Sequence, residues 1–440
     1  MKSNSSPTTR ILVAMILGII AIASLLRINQ PSRDKGPLEY IDFLKEAADL
    51  VKANYVEPID EKKLMVSAIN GMLASLDPHN AYMSPEAFND MQVQISGSFG
   101  GLGIEITIRE GKLTVISPIE DTPAFRAGIK PGDHIWKIDN LFTRSMGIND
   151  AVKRLRGAKG SFVLLTVIRD GVAKPIVFKL KRDIIRIQSV KARTLERGFG
   201  YVRIAQFQET TGAEFDKAMN SLKRENRGRL KGLVIDLRNN PGGLVDTAIE
   251  VAGRFVGGGL NDGLIVTMKG RDPSSKKEIH ASAGEKEPNY PVAVMINGGS
   301  ASASEIVAGA LQDYRRAVIV GTQSFGKGSV QSVIPLGDGA GLKLTTARYY
   351  TPKGRSIQAK GITPDIVIGE DETGKLVKED GNALREADLD GHIPPPDQES
   401  TKKRTTPGSH APADEPDIKD YQLSRALDLL KGMDLLIGVK

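Results

Sequence analysis

From Gly198 onward, the sequence alternates between short strand-like runs and longer helical runs. The strand-like runs cover residues 232–237, 292–296 and 317–320, and the helical runs cover residues 244–256 and 302–314. Alternation of this kind is typical of an α/β fold, in which helices cover a largely parallel sheet. The sequence therefore predicts an α/β core, which we place at residues 185–370.

Two regions of different character precede this core. Residues 36–95 carry apolar side chains at helical spacing, with Tyr40, Phe43 and Leu44 among them, and predict a helical arm. Residues 96–184 consist of short β-rich runs separated by glycine and proline, and predict a small, mostly β domain. The chain is therefore expected to be an α/β core with an embedded β domain and an N-terminal helical arm.

The two ends of the chain carry further segments. In residues 1–30, Lys2 and Arg10 precede an uncharged run of sixteen residues that ends near a small-x-small cleavage pattern. This run is short for a bilayer span, so a cleaved signal peptide is favoured over an uncleaved anchor, and a buried core helix is the third reading. Either of the first two readings exports the chain to the periplasm or cell envelope, the second with an anchor in the inner membrane. At the other end, residues 371–418 are poor in apolar side chains and predict a flexible linker, and residues 419–440 predict an amphipathic helix.

The composition excludes several classes of site. The chain has no cysteine, so thiol nucleophiles, thiolate metal sites and disulfides are excluded. Its five histidines have no metal-ligand spacing, and we expect neither a metal nor a cofactor. The 60 basic residues are dispersed among 53 acidic ones, which disfavours a nucleic-acid partner.

A cluster of serines lies at the expected start of a helix, where residues 299–305 read Gly-Ser-Ala-Ser-Ala-Ser-Glu. Ser302 and Glu305 have the spacing of a capping box, which is a structural role. Ser302 is alternatively a nucleophile if a base lies nearby, and Lys327 follows between two glycines. A neutral lysine amine is able to deprotonate a serine hydroxyl. An exposed lysine has a pKa of about 10.4, so this role requires burial that lowers the pKa by about 3.

Two more groups complete this hypothesis. Gln331 lies on the same face of an expected strand as Lys327 and is placed to orient its amine. Residues 236–243 form a strand end that turns through glycines into a helix. Backbone amides of this turn, together with the amide of Ala303, are suited to bind an oxyanion.

Residues 321–328 offer an alternative, because they differ by one substitution from a phosphate-binding Walker loop. That loop needs serine or threonine after the lysine to reach magnesium, and this chain has Gly328 there. A strand-like run rather than a helix follows, so nucleotide binding is disfavoured.

Taken together, the runs at residues 236–243, 299–305 and 325–331 resemble the motifs of the carboxy-terminal processing peptidases, also called tail-specific proteases. The resemblance covers roughly residues 38–368 and implies an exported or organellar serine-lysine protease. The roles that it implies are nucleophile for Ser302, base for Lys327, lysine-orienting residue for Gln331, and oxyanion donors for the amides of Ala303 and Gly243, with Gly242 kept as the alternative to Gly243.

The mostly β domain resembles a PDZ domain in residues 100–104 and 127–135. Such a domain binds a C-terminal carboxylate with consecutive backbone amides, while the peptide adds a strand alongside. The peptide-binding residues that this implies are Leu102, Gly103, Ile104, Val152 and Leu155. The alternative is a small β domain whose glycines serve only its turns.

The expected function is therefore that of an exported serine endopeptidase that recognises substrate C-termini through a PDZ domain. The alternative is a catalytically silent PDZ scaffold of the cell envelope. The expected partners are protein or peptide substrates with apolar C-termini and further copies of the chain, assembled through the helical arm and the C-terminal helix. The resemblance is also compatible with an adaptor protein as a further partner.

Overall fold

The structure is a computed structural model, and it describes residues 37–257, 263–284, 286–369, 384–396 and 420–438. The expected export signal lies outside the described residues, as do most residues of the expected linker. None of the described helices combines the length and the hydropathy that a membrane span requires.

The described chain begins with two helices, α1 (Pro37–Asn54) and α2 (Glu61–Ala74). A first compact unit ends within α2, at Ile69, and the rest of the described chain belongs to a second unit. Six large apolar side chains of α1 are exposed: Tyr40, Ile41, Phe43, Leu44, Leu50 and Val51. The helical spacing in the sequence thus falls on α1, whose apolar side chains are left uncovered.

The second unit continues with the strand β1 (Ala81–Met83) and the helix α3 (Pro85–Ser96). Although the sequence assigned these residues to the helical arm, β1 pairs with residues 341–343 of the core. The helix α3 ends at Gly97, which has a φ of +64° and so adopts the left-handed conformation that glycine favours.

Eight strands and two short helices build the mostly β domain. They are β2 (Ser98–Gly101), β3 (Ile104–Arg109), β4 (Lys112–Pro118), α4 (Pro123–Arg126), β5 (His134–Ile138), β6 (Leu141–Phe142), α5 (Ile148–Leu155), β7 (Phe162–Ile168), β8 (Ile176–Lys181) and β9 (Asp183–Arg186). One sheet has the order β3-β4-β5-β7-β8, with β6 on β5, and β2 pairs with β9 where the chain enters and leaves the domain. This domain has its own apolar core, which includes Ile135, Ile138 and Leu165.

The remaining strands and helices form the α/β core. They are β10 (Val190–Glu196), β11 (Phe199–Ile204), α6 (Thr211–Glu225), β12 (Gly232–Asp236), α7 (Val245–Gly253), β13 (Leu264–Gly270), β14 (Lys277–His280), β15 (Val292–Ile296), α8 (Ala303–Asp313), β16 (Val318–Gly321), β17 (Ser329–Pro335), β18 (Gly341–Tyr350), β19 (Ile366–Val367) and α9 (Tyr421–Gly438). The main sheet has the order β10-β11-β12-β15-β16-β19, and all its neighbours are parallel except β10 and β11. In the second, antiparallel sheet, β18 lies between β1 and β13, β14 pairs with β13, and β17 also pairs with β18.

The main sheet is buried on both faces, because its central strands alternate between two apolar clusters. In β12, Leu233 and Ile235 belong to the cluster that contains α6, α7 and α8, whereas Val234 belongs to the cluster that contains α9. The helix α9 contributes Leu423, Ala426 and Leu430 to that second cluster. These three side chains are therefore covered within the chain, whereas Leu435 and Leu436 near the end of α9 are exposed.

Residues 384–396 differ from the flexible linker that the sequence predicts. They contain a 3₁₀ turn at Glu386–Asp388, and the Glu386 side chain is fully buried. The linker prediction is wrong for these residues because it rests on their low apolar content. Composition gives no sign that a polar side chain is buried against polar partners.

Candidate active site

The parallel sheet brings the predicted site segments together. The strands β12 and β15 are neighbours and run in the same direction, so the loops that follow Asp236 and Ile296 leave the same edge of the sheet. Loops at the carboxyl ends of parallel strands are where α/β proteins build their sites. The two loops touch here, because the amide of Ala301 donates to the carbonyl of Asn240 (3.0 Å).

Ser302 lies at the N-terminus of α8 in a strained backbone conformation. Its φ and ψ are +54° and −112°, which a residue with a side chain rarely adopts. Such strain concentrates at functional positions, where the surrounding structure holds it in place. The predicted capping interaction is present in one direction, since the amide of Ser302 donates to Glu305 Oε2 (2.8 Å).

The neighbouring serines have structural partners. Ser300 Oγ donates to the carbonyl of Leu237 (2.8 Å), and Ser304 Oγ donates to the carbonyl of Asn240 (2.9 Å), and both serines are fully buried. Ser302 is partly exposed, and within the described residues its hydroxyl donates to no backbone carbonyl. Of the three hydroxyls, only that of Ser302 is available for chemistry.

Glu305 connects the serine loop to the lysine loop. Its Oε2 accepts hydrogen bonds from the amides of Ser302 (2.8 Å) and Lys327 (2.9 Å), so these two backbones lie side by side. Its Oε1 accepts from the amide of Gly326 (2.7 Å) and from Ser324 Oγ (2.6 Å). Burial raises the pKa of this fully buried carboxyl to about 7, although the four hydrogen bonds oppose the rise. The sequence identified Glu305 only as a helix cap.

The Lys327 side chain is largely removed from water, as the sequence hypothesis requires. Burial lowers its pKa below the ordinary value, and the positive charge of Lys343 lowers it further. The carboxylates of Glu386, Asp77 and Glu305 act in the opposite direction. A lysine with a lowered pKa is more often neutral, which is the form that accepts a proton.

Gln331 lies on β17 with its amide group turned inward. Its Nε2 donates to Thr345 Oγ1 (2.9 Å) and Ser329 Oγ (3.2 Å). The irregularity between β17 and β18 adds Thr346 to β18, so β17 keeps its alternation and Ser329 and Gln331 share a face. Gln331 Oε1 is buried and has no hydrogen-bond partner in the described chain. It is therefore an acceptor still available to an amine.

The glycine turn after β12 passes close to Ser302. A side chain at Gly242 would place its Cβ 2.9 Å from Ser302 Cβ and 3.0 Å from the amide of Ala303. The amide of Gly242 already donates to Asn240 Oδ1 (2.9 Å). The carbonyl of Gly242 and the amide of Leu244 face Phe207, so the amide of Gly243 points the other way, and it makes no hydrogen bond among the described residues.

An ion-pair network fixes the start of this turn. Arg238 donates to both oxygens of Asp236 (3.0 and 2.7 Å) and of Asp420 (3.0 and 2.5 Å), and it also binds Gln422. Burial would lower the pKa of Arg238, but the hydrogen bonds to the two carboxylates outweigh it and raise the pKa. The turn is thereby tied to the N-terminal end of α9.

The five residues predicted to bind peptide line one cavity of about 130 Å³ between β3 and α5. They are Leu102, Gly103, Ile104, Val152 and Leu155. The amides of Leu102 and Gly103 make no hydrogen bond within the described chain. Sequence reasoning missed Arg156, which also lines this cavity, stacks on Phe99 (4.7 Å) and binds Asp90 (3.0 Å).

Comparisons with known proteins identify the family and the domains of this chain. The profile of peptidase family S41 matches residues 198–368, that of the PDZ domain matches residues 100–180, and that of the N-terminal domain of the activating protease CtpB matches residues 23–87. A carboxy-terminal-processing protease of Bartonella bacilliformis is 44% identical over 427 residues, which is 96% of each chain. This chain belongs to the carboxy-terminal processing proteases.

Other relatives cover less of this protease. The carboxy-terminal processing protease CtpB of Bacillus subtilis is 36% identical over 80% of this chain and 74% of its own. A solved structure of the photosystem II D1 C-terminal processing protease has 31% identity and a TM-score of 0.42, and it covers 73% of this chain and 91% of that chain. The expected fold, an α/β core with an embedded PDZ domain and N-terminal helices, is confirmed.

Proposed function

We propose that this protease is an exported serine endopeptidase that recognises substrate C-termini through its PDZ domain and cleaves peptide bonds in or near the C-terminal region by a Ser-Lys mechanism. The main support is Glu305 Oε2, which accepts from the amides of both Ser302 and Lys327. One buried oxygen thus holds the backbones of the proposed nucleophile and the proposed base next to each other.

The proposed reaction begins with the neutral amine of Lys327. The amine accepts the proton of Ser302 Oγ as this oxygen attacks the scissile carbonyl carbon. The resulting oxyanion is bound by the amides of Ala303 and Gly243, of which the second is preferred to Gly242 because the Gly242 amide is already bonded to Asn240. The lysine then gives its proton to the leaving amine, and water releases the acyl group. Gln331 Oε1 is the acceptor that orients the lysine amine.

The test is cleavage of a labelled peptide with a free apolar C-terminus. Ser302→Ala and Lys327→Ala should abolish cleavage, and Gln331→Ala should weaken it by a smaller factor because this residue takes no proton. Ser300→Ala and Ser304→Ala are the matched controls and should retain cleavage, with about 1 kcal/mol lost from stability because each removes a buried hydrogen bond, although the carbonyls of Leu237 and Asn240 keep an amide donor. Activity that depends on Ser300 or Ser304 would contradict the assignment. A wild-type chain that binds the peptide and cleaves nothing would favour the silent scaffold.

The cavity between β3 and α5 supports recognition of an apolar C-terminus. Two backbone amides without partners are suited to a carboxylate, and the apolar walls are suited to the last side chain. Amidating the peptide should weaken its binding about tenfold to a hundredfold, because the amides would then face a neutral group that also donates. Equal cleavage of the acid and the amide would remove the recognition claim.

A control variant for this cavity must block it without disturbing the domain. A side chain at Gly103 is unsuitable, since its Cβ would lie 2.4 Å from Thr122 and the φ of Gly103 is +74°. Val152 on α5 lines the cavity and is partly exposed, so Val152→Glu places a negative charge in the apolar wall that would contact the last side chain of the peptide. This variant should bind both peptides weakly.

We also propose export and self-association. The uncharged run after Arg10 supports export, and cell fractionation of the full chain tests it.

The exposed apolar side chains of α1 support an oligomer built by the helical arm. Much of the apolar face of α9 packs on the main sheet, so the support from this helix comes from the exposed Leu435 and Leu436. Light scattering should show a smaller assembly after the exposed Phe43 and Leu44 are changed to serine.

A further inference from the structure

A second buried carboxylate lies behind the lysine loop. The Glu386 side chain is fully buried, and His79 Nε2 lies 2.7 and 3.0 Å from its two oxygens. Gln358 Nε2 donates to Glu386 Oε1 (2.8 Å), and the amide of Glu386 donates to the carbonyl of Phe325 (3.2 Å). The turn that carries Glu386 thus rests directly on the chain two residues before Lys327.

Gln358 connects this carboxylate to the residue after the lysine. Its Oε1 accepts from the amide of Gly328 (3.0 Å), and Gln358 is itself fully buried. The approach is close enough that a Cβ on Gly328 would lie 2.3 Å from the amide nitrogen of Gln358. In addition, the amide of Ala359 donates to the carbonyl of Gly326 (2.8 Å). Glu305 therefore holds the lysine loop from one side, and Glu386 holds it from the other through Gln358.

The charges around Lys327 belong to few groups. Lys343 faces it with a positive charge, and Glu386, Asp77 and Glu305 face it with negative charges, while His79 is the partner of Glu386. Burial lowers the pKa of Lys327, and Glu386 is the first of the carboxylates that limit this fall. A general base works best when its pKa stays near the working pH, so an excessive fall would weaken it.

We propose that Glu386 is a positioning residue for Lys327: through Gln358 it fixes the backbone beside the lysine, and its carboxylate, held by His79, supplies a negative charge that preserves the basicity of the amine. This inference rests on the proposed role of Lys327 as the base. It assigns a function to a turn that lies 59 residues beyond Lys327 in the sequence, within the segment expected to be a linker.

The test removes the charge and keeps the shape. Glu386→Gln retains a carbonyl that accepts from Gln358, and its new amide group is able to donate to the imidazole of His79. Asp388→Asn is the matched control, because it makes the same change in the same turn and Asp388 is not among the charges that act on Lys327. Two profiles are measured against pH for each chain: kcat/KM for the peptide, and acetic anhydride labelling of Lys327 quantified by mass spectrometry.

With Glu386→Gln, both profiles should move to lower pH, by on the order of 0.5, because the ammonium form loses a nearby anion. The plateau of kcat/KM should fall several-fold, and the Asp388→Asn profiles should coincide with those of the wild type. Because labelling needs no catalysis, it also separates this inference from the proposed function. If the Lys327 labelling profile is unchanged in Glu386→Gln, the inference is overturned. If Ser302→Ala cleaves the peptide as fast as the wild type, the proposed function is overturned.

Gln358→Leu is a second variant that tests position without removing the carboxylate. It leaves the Glu386 side chain unchanged and removes the hydrogen bonds of Gln358 to the amide of Gly328 and to Glu386 Oε1. We expect kcat to fall several-fold while the labelling profile keeps its position on the pH axis. A wild-type kcat would overturn the positional part of the proposal, and it would do so even if Glu386→Gln failed to fold.

Discussion

Replacing Glu305 by glutamine should change how the stability of the core depends on pH. The carboxyl of Glu305 has an ordinary pKa of 4.5, which burial raises to about 7 in the folded chain. Below pH 4.5 the group is protonated in both the folded and the unfolded state, and its contribution to stability is fully present. As the pH rises through 7 the folded chain must ionise it in a buried site, and that contribution is lost.

The magnitude follows from the two pKa values. Between pH 5 and pH 8, a group that titrates at 4.5 when unfolded and at about 7 when folded lowers the free energy of unfolding by about 2–3 kcal/mol. Glu305→Gln has no ionisable group at this position. Its free energy of unfolding, relative to that of the wild type, should therefore rise by about 2–3 kcal/mol between pH 5 and pH 8.

Urea unfolding followed by far-UV circular dichroism measures this difference. Trp136, the only tryptophan, lies on β5 of the PDZ domain, so its fluorescence provides an internal control that should not distinguish the two chains. An identical pH dependence of core unfolding in the wild type and in Glu305→Gln would refute the claim that burial governs this carboxyl.

The same variant should be nearly inactive at every pH. Whichever oxygen becomes the NH₂ group, at least one backbone amide among those of Ser302, Gly326 and Lys327 faces another donor. Displacement of the nucleophile or the base by about 1 Å lowers kcat/KM on the order of a hundredfold. Glu214 is a matched control outside the site, since it accepts four hydrogen bonds from Ser189, Val190 and Thr210, and Glu214→Gln should retain activity.

Three further predictions concern the same core. Lys327→Met should abolish cleavage and raise the melting temperature measured by calorimetry, because burial of the ammonium group, which lowers the pKa of Lys327, opposes folding. Gly243→Ala should inactivate the protease and strongly destabilise the core, since its Cβ would lie 2.0 Å from the carbonyl oxygen of Phe207. The control is Gly228→Ala, where φ is +85° and the added Cβ meets nothing within 4 Å, and a thermal melt should show a loss of only about 1–2 kcal/mol in stability. Arg238→Met should destabilise the chain by about 3–5 kcal/mol and expose α9 to limited proteolysis, whereas Lys431→Met, which breaks the exposed pair with Glu196, should change little.

The sequence was sufficient to predict that the serine and glycine loops meet. Residues 233–235 and 292–296 are continuously apolar and are separated by a helical run, which predicts two parallel strands whose following loops leave one edge. The same runs carry apolar side chains on both faces, which indicates that both faces of the sheet are covered. In the structure, α9 provides that second cover.

The network behind Lys327 was beyond sequence reasoning. His79 and Glu386 are 307 residues apart, and each belongs to a polar stretch that favours a loop. A single buried hydrogen-bonded pair leaves no periodicity in the sequence, and glutamate is a residue type that is usually exposed. Glu305 was visible only as a cap, because the spacing to Ser302 shows the local hydrogen bond and not the contacts with residues 324–327.

Glu305 and Lys327, at the centre of the site, both reach the form that the proposed reaction needs by losing a proton as the pH rises. Glu305 accepts all four of its hydrogen bonds only when it is ionised, because a proton on either oxygen would face a donor. Lys327 acts as a base only when it has lost its proton. Glu305 is mostly ionised above its raised pKa of about 7, and the lowered pKa of Lys327 extends the neutral form of the amine to lower pH. The pH range in which Glu305 holds the loops together therefore approaches the range in which the amine is neutral. Burial of the two groups thus moves the pH at which the carboxyl ionises and the pH at which the amine loses its proton toward each other.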